Sequence, residues 1–210
     1  STLSSSSAAS DVYKRQCFDV SDNTQVTKSI ESIPDNFQQI NILINNAGNA
    51  HGLDKIQDGD IEDWDKMIDS NVKGLLYVTK AVIGRMIEKS SGHIINIGSL
   101  AGREVNEKGN VYSASKHAVN AISKGMRIDL NKHNIKVSEI NPGLVETEFS
   151  KVRFKGDPKA SKVYEGYKAL EAEDIAEIIE FVISRPHHVN IADVLILPQD
   201  QASSSIINKK

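Results

Sequence analysis

At 210 residues, with 39% hydrophobic and 25% charged residues, the chain has enough apolar material for one sizeable core and does not belong to the disordered class. A formal net charge of −3 supplies no basic footprint for nucleic acid, and the single cysteine, Cys17, excludes an internal disulfide and any cysteine-built metal site. No apolar run approaches the ~20 residues of a membrane-spanning helix, and the N-terminus lacks the apolar stretch of a secretion signal, so the expected location is cytoplasmic.

Residues 1–16 differ from the rest. Ser1 to Ser10 is almost all Ser and Ala, a composition that cannot supply a core strand. We expect a leader that is not native over 1–16, with a native disordered tail as the alternative, and one domain over 17–210.

From Cys17 onward, short apolar runs alternate with longer amphipathic stretches. The β-branched run Ile40–Ile44, closed by Asn45-Asn46-Ala47-Gly48, predicts a buried strand. Apolar residues at helical spacing between Asp60 and Glu88 predict one long helix or two in succession, stopped by Ser91-Gly92. His93–Ile97 is a second strand, followed by Gly98-Ser99. A helix over 110–133 is expected to carry its apolar side on Ala114, Ala118, Ala121, Ile122, Met126 and Leu130. A third strand, Ile135–Ile140, ends in the turn Asn141-Pro142-Gly143. A helix over 173–184, with Asp174 as its N-cap, leads to a last strand, Asp193–Leu197. Strands of this kind separated by helices predict an α/β fold with a doubly wound parallel sheet, which binds ligands at the carboxyl ends of its strands.

Those ends carry the chemistry. Tyr112 and Lys116 stand four residues apart on the predicted helix and so share a face, and Tyr112 follows Ser99 by 13 residues (112 minus 99). An ammonium beside a phenol favours the phenolate, and a phenol tuned that way can exchange a proton with a carbonyl oxygen or an alcohol. A bare Tyr-x-x-x-Lys also arises by chance on ordinary helices. Here it is one of several motifs in order: Asn45-Asn46-Ala47-Gly48, Asn71 in Asp69-Ser70-Asn71-Val72, Ser99, Tyr112 with Lys116, and Pro142-Gly143 followed by Val145 and Thr147.

Taken together they resemble the short-chain dehydrogenase/reductase family over nearly all of Cys17 to about Ser205. The resemblance implies a Rossmann-type fold and an NAD(P)-dependent alcohol/carbonyl oxidoreductase. Tyr112 would be the general acid/base. Lys116 would tune it and bind the nicotinamide ribose, Ser99 would position the substrate oxygen, and Asn71 would hold a water linking Lys116 to solvent. Asn45, Ala47 and Gly48 would border the cofactor, Pro142, Gly143, Val145 and Thr147 would pack on its nicotinamide end, and Asp19-Val20 would contact the adenine. No Gly precedes Gly48, so the first strand, Gly-rich turn and helix that hold the pyrophosphate are expected to be missing. The exposed sheet edge this leaves would be an aggregation hazard.

A narrower likeness lies in the run 141–157, in Gly74–Lys80 and in the ending Ile191-Ala192-Asp193 with Leu197-Pro198. It points to the branch of NADP-dependent 3-hydroxy acid dehydrogenases, acting on serine and related short acids or reducing malonic semialdehyde. NADP is the expected cofactor and NAD remains open. Arg153 could clamp a substrate carboxylate, or it could be a surface charge or an oligomer contact. The resemblance also implies a homo-oligomer, dimer or tetramer, built on the stripe from Val72 to Met86, for which core packing is the alternative. Another small-alcohol specificity, a non-catalytic binding protein on the same fold, and an inactive fragment are the competing functions. His187-His188 is read as a solvated turn, His117 as packing or surface and Trp64 as a packing anchor, and no metal site is expected.

Overall fold

A computed structural model of the chain describes residues 15–157 and 163–210. All but two residues of the expected leader lie outside the described residues. The first helix, α1 (Asn23–Glu31), starts where the Asp22 carboxylate accepts hydrogen bonds from the Thr24 and Gln25 amides, and it buries Val26 and Ile30. Strand β1 (Ile42–Asn45) leads to α2 (Ile61–Ile68), which passes through a π-helical turn, Asp69–Gly74, into α3 (Leu75–Lys89). The single long periodicity is thus two helices joined by a wide turn, the kind of local over-wide winding that often marks a functional position.

Strand β2 (Gly92–Ile97), helix α4 (Asn110–Leu130) and strand β3 (Ile135–Pro142) follow, then a short α5 (Phe149–Arg153), α6 (Ala172–Ile183) and β4 (Asp193–Ile196). The last turn of the helix expected over 110–133, Asn131–His133, is 3-10 and ends at Asn134 in the left-handed region. The N-cap of α6 is Glu171 rather than Asp174. Asp174 sits three residues into a capping box and accepts the Glu171 amide at 2.7 Å.

The four strands are all parallel and lie in the order β1-β2-β3-β4, each joined to the next through helices. Side chains alternate between two faces. On one face Ile94 and Val137 join Val26, Ile30, Val82, Met86 and their neighbours under α1, α3 and α4. On the other, Ile95, Ile140, Val194 and Ile196 pack with Val182 of α6. Ile42 and Ile44 of β1, in register with His93 and Ile95 on that second face, stay 41% and 44% exposed.

Helix α4 lies rotated from its expected orientation. Ser113, Ser115, Lys116, Val119 and Ser123 are buried against the sheet, while Ala114 and Ala121 face outward. The Ser115 hydroxyl is partnered by Asn71 of the π turn and the Tyr112 carbonyl, and the Ser123 hydroxyl by Asn96 of the sheet and the Val119 carbonyl, so a largely satisfied polar face can point inward and a small apolar one outward. Among the described residues no helix is long and apolar enough to cross a membrane, and no cluster of three or more His, Cys, Asp or Glu could hold a metal.

Candidate active site

The site forms where β1, β2 and β3 end and α4 begins. Ser99 follows β2 directly. Its backbone N–H donates to Asn141 Oδ1 at 3.0 Å, and its hydroxyl accepts the Ala101 amide at 3.1 Å. Asn141 Nδ2 in turn donates to Asp193 Oδ1 at 2.9 Å, and Asp193 is ion-paired to Arg103. This tether fixes the peptide that presents the serine, and a scan for catalytic motifs does not find it.

Ser99 is hydrogen-bonded to the half-buried Tyr112. Burial raises the phenol above its ordinary value, while the Ser99 hydrogen bond and the Arg153 guanidinium pull it back. The Lys116 ammonium lies 6.0 Å from the Tyr112 ring centroid and donates to the Ile97 carbonyl at 2.9 Å. The shared helical face is as expected, but within the protein the two groups closest in effect to the phenol are Ser99 and Arg153. Lys116 is itself pushed down to about 8 by burial, opposed by the charge of Glu139.

Asn71 occupies the π turn between α2 and α3 and is buried. Its Oδ1 accepts the Asn49 amide at 2.8 Å and the Ser70 hydroxyl at 3.1 Å, while its Nδ2 donates to the Asn49 carbonyl at 2.8 Å and Ser115 Oγ at 3.0 Å. That fills the hydrogen-bonding capacity of the amide. The side chain therefore clamps the loop after β1 to α4, and the water expected on it would have to use another group.

Gly48 is exposed, and a Cβ there would sit 3.0 Å from Asn71 Oδ1 and 3.6 Å from Lys116 Nζ. Asn45 donates to Thr79 and Asn96 at 3.0 and 2.9 Å, anchoring the strand end below the exposed Ala47. Gly143 is pressed against Gln201, whose Oε1 accepts the Leu144 amide at 2.9 Å, a support from the C-terminal segment that local sequence does not signal. Pro142 is buried, the Val145 carbonyl accepts the Tyr164 hydroxyl at 2.9 Å, and Thr147 Oγ1 accepts the Phe149 amide at 3.2 Å. Asp19 accepts the Ser21 amide and hydroxyl at 2.9 and 2.7 Å, and Val20 packs on Gly74 at the end of the π turn.

Arg153 is in the site. Its guanidinium lies 5.5 Å over the Tyr112 ring, Nε reaches the Gly52 carbonyl at 3.4 Å, and Phe149 stacks at a tilt on the same ring at 5.6 Å. Burial pushes the guanidinium down, and among the described residues no carboxylate pairs with it. Tyr112, Arg153, His51, Asp63 and Trp64 line one cleft.

The short chain dehydrogenase family model matches residues 2–158. The chain belongs to the short-chain dehydrogenase family. Its 190 aligned residues are 45% identical to the NADP-dependent 3-hydroxy acid dehydrogenase of Salmonella typhi, covering 90% of this chain and 77% of that protein. The enzyme of the same name from Schizosaccharomyces pombe is 44% identical over 193 residues, 91% of this chain and 74% of that protein. Among solved structures, the closed form of a serine dehydrogenase complexed with NADP+ superposes with a TM-score of 0.87 at 43% identity, covering 91% of this chain and 78% of that one. Serine dehydrogenase from Escherichia coli gives 0.76 at 38%, covering 88% and 76%. A short-chain dehydrogenase is thus what the strand order, the Ser99–Tyr112–Lys116 arrangement and these relatives describe in common.

Proposed function

We propose that this dehydrogenase moves a hydride between NADP and a small 3-hydroxy acid or its carbonyl form, as a cytoplasmic homo-oligomer. One observation carries the reading: a phenol with Ser99 as its hydrogen-bond partner and flanked by Lys116 has the Arg153 guanidinium, without a carboxylate partner among the described residues, lying over its ring. The phenol is the proton donor and acceptor, Ser99 holds the substrate oxygen, and Arg153 takes the carboxylate of the acid in a bidentate pair. Lys116 holds its positive charge beside the phenol, and Asn71 is the clamp that keeps Lys116, Ser115 and the loop after β1 in register.

The residues at the strand ends fit a nicotinamide cofactor. At Gly48 a side chain would crowd Asn71 and approach Lys116, so the backbone there is open to a ligand, and the Lys116 ammonium has hydrogens beyond the one given to Ile97. Lys116, Asn45, Ala47 and Gly48 would hold the nicotinamide ribose side, Pro142, Gly143, Val145 and Thr147 the nicotinamide end, and Asp19 and Val20 the adenine. When bound, the cofactor supplies the hydride chemistry and the protein supplies orientation and electrostatics. For the oligomer, support comes from the outward Ala114 and Ala121 of α4, the open space around Gly84 and Gly125, and Leu76 and Ile128 at 41% and 77% exposure.

The test is a panel of 3-hydroxy acids and neutral alcohols with NADP and NAD. Turnover is expected on the acids with NADP, and Tyr112→Phe should lower kcat by about 10²–10⁴-fold. Arg153→Met should raise KM for the acids at least about tenfold while leaving KM for neutral alcohols unchanged, any loss of kcat through the phenol being common to both. Turnover confined to steroids, sugars or acyl carriers, or an undiminished Tyr112→Phe, would sink the proposal.

A further inference from the structure

A row of polar side chains crosses the sheet at one level. Asn45, Asn96, Glu139 and Asp193 are register partners on β1, β2, β3 and β4 in turn. Their side of the sheet faces α4, which presents Lys116, Asn120 and Ser123 at positions i, i+4 and i+7, one face of a helix. The pieces interlock: Asn96 Nδ2 donates to Ser123 Oγ at 2.9 Å, Asn120 Nδ2 to Glu139 Oε2 at 2.9 Å, and Lys116 Nζ to the Ile97 carbonyl at 2.9 Å.

Glu139 is the member with no evident structural need. It is 0% exposed, and among the described residues its Oε1 has no partner in hydrogen-bond geometry. That oxygen lies against Gly98, where a Cβ would sit 2.6 Å from it, and Gly98 directly follows the carbonyl that Lys116 holds. A buried carboxyl with an idle oxygen is destabilising unless it interacts with a charge.

We propose that Glu139 is a positioning residue for the catalytic pair, a buried carboxylate held by Asn120 one turn beyond Lys116 that keeps the Lys116 ammonium charged. The proposal rests on the dehydrogenase reading for its meaning in turnover, but its electrostatic content does not. The other charged or titratable groups around the pair are Tyr112 on α4, Asp193 on β4, Arg103 on the turn after β2 and Arg153 on α5, whose guanidinium lies over the Tyr112 ring. The π turn presents the neutral Asn71 and the loop after β1 presents Gly48. Burial and Asp193 push the Glu139 carboxyl up, while Asn120, Asn141 and Arg103 act against this. Arg103 and Asp193 neutralise each other as an ion pair, so Glu139 is the carboxylate left to offset the desolvated Lys116.

The experiment is a titration of the lysine ε-carbons by NMR on the full chain, with the Lys116 signal assigned by its loss in Lys116→Arg. The wild-type midpoint is expected at about 8. Glu139→Gln, which keeps the shape and the acceptor for Asn120, should lower it by on the order of one pH unit, and Glu139→Asp should restore it. In turnover, that shift predicts about a fivefold loss at pH 8 and less than about a twofold loss at pH 6 for Glu139→Gln. An unchanged Lys116 midpoint overturns the proposal. So does a Glu139 δ-carbon still protonated at pH 8 in the wild type, a measurement for which no variant has to fold. A moved midpoint in a chain that turns nothing over would instead count against the dehydrogenase reading and leave this one standing.

Discussion

The two central strands and the two flanking ones are built to different standards. Strands β2 and β3 are buried along almost their whole length, whereas β4 alternates between half-buried and exposed positions and β1 does so up to its buried last residue, Asn45. The groups of the candidate site hang from the central pair and the helix between them: Ser99 follows β2, Asn141 lies in the last two residues of β3, and α4 carries Tyr112 and Lys116. Strands hemmed in on both edges and both faces cannot shift a reacting atom without disturbing many contacts, which is how a site is held to sub-ångström tolerance. The flanking strands complete the sheet under looser constraint, and the second face of β1 is left open.

That contrast can be broken by one chemical change made in both places. Ile94→Ala on β2 removes a side chain with no exposed surface from the main cluster and should cost about 3–4 kcal/mol of stability. Ile44→Ala on β1, at 44% exposure, should cost about 1 kcal/mol or less. Urea midpoints read both. Equal losses would mean that the exposed face of β1 is packed in solution and that the two standards are an illusion.

The same division explains what was legible in the sequence. Every strand and the helices α2, α3, α4 and α6 could be read from their apolar runs and stop signals, because Ile94-Ile95 or Val137 leave no other place to go, but α1, which gives Val26 and Ile30 to the core, was not expected. Ser99, Tyr112 and Lys116 stood out together because their spacing is a consequence of one strand end and one helical turn. Three further things were not legible. The orientation of α4 was misread because its inward face is polar, and only the facing Asn96 and Glu139, distant in sequence, make Ser123 and Asn120 core residues. The Arg103–Asp193–Asn141 tether joins residues up to 90 positions apart, with no local pattern to announce it. Arg153 could be read equally as a surface charge, since nothing in its own segment states that Gly52 will accept it over Tyr112.

A pH experiment sharpens the central side of the comparison. His93 on β2 is buried with its Nε2 2.8 Å from Ser138 Oγ, and burial, helped by Lys136, pushes it down to about 4 from 6.5. The folded chain therefore keeps this histidine neutral where the unfolded chain protonates it. The stability tied to it is present above pH 6.5 and is lost as pH falls from 6.5 towards 4, by roughly 2–3 kcal/mol. His93→Gln should remove that part of the acid sensitivity, read as the change in urea midpoint between pH 7 and pH 4.5. Parallel pH curves for the two proteins would show that the ring is solvated in the folded state.

The smallest effect on stability belongs to the open flank, and it separates folding from solubility. Strand β1 pairs only with β2 among the described residues, so one edge of backbone N–H and C=O groups is free beside the exposed Ile42 and Ile44. An apolar strand with a free edge is a template for another copy, and a charge on its open face interferes with that pairing without entering the core. Ile44→Lys should therefore change the urea midpoint by an amount equivalent to about 0.5 kcal/mol or less, yet raise the concentration at which light scattering detects aggregates. A large drop in the midpoint would mean that Ile44 is covered in the folded chain. An unchanged aggregation threshold would place the sticky surface elsewhere, with the outward Ala114 and Ala121 of α4 next in line.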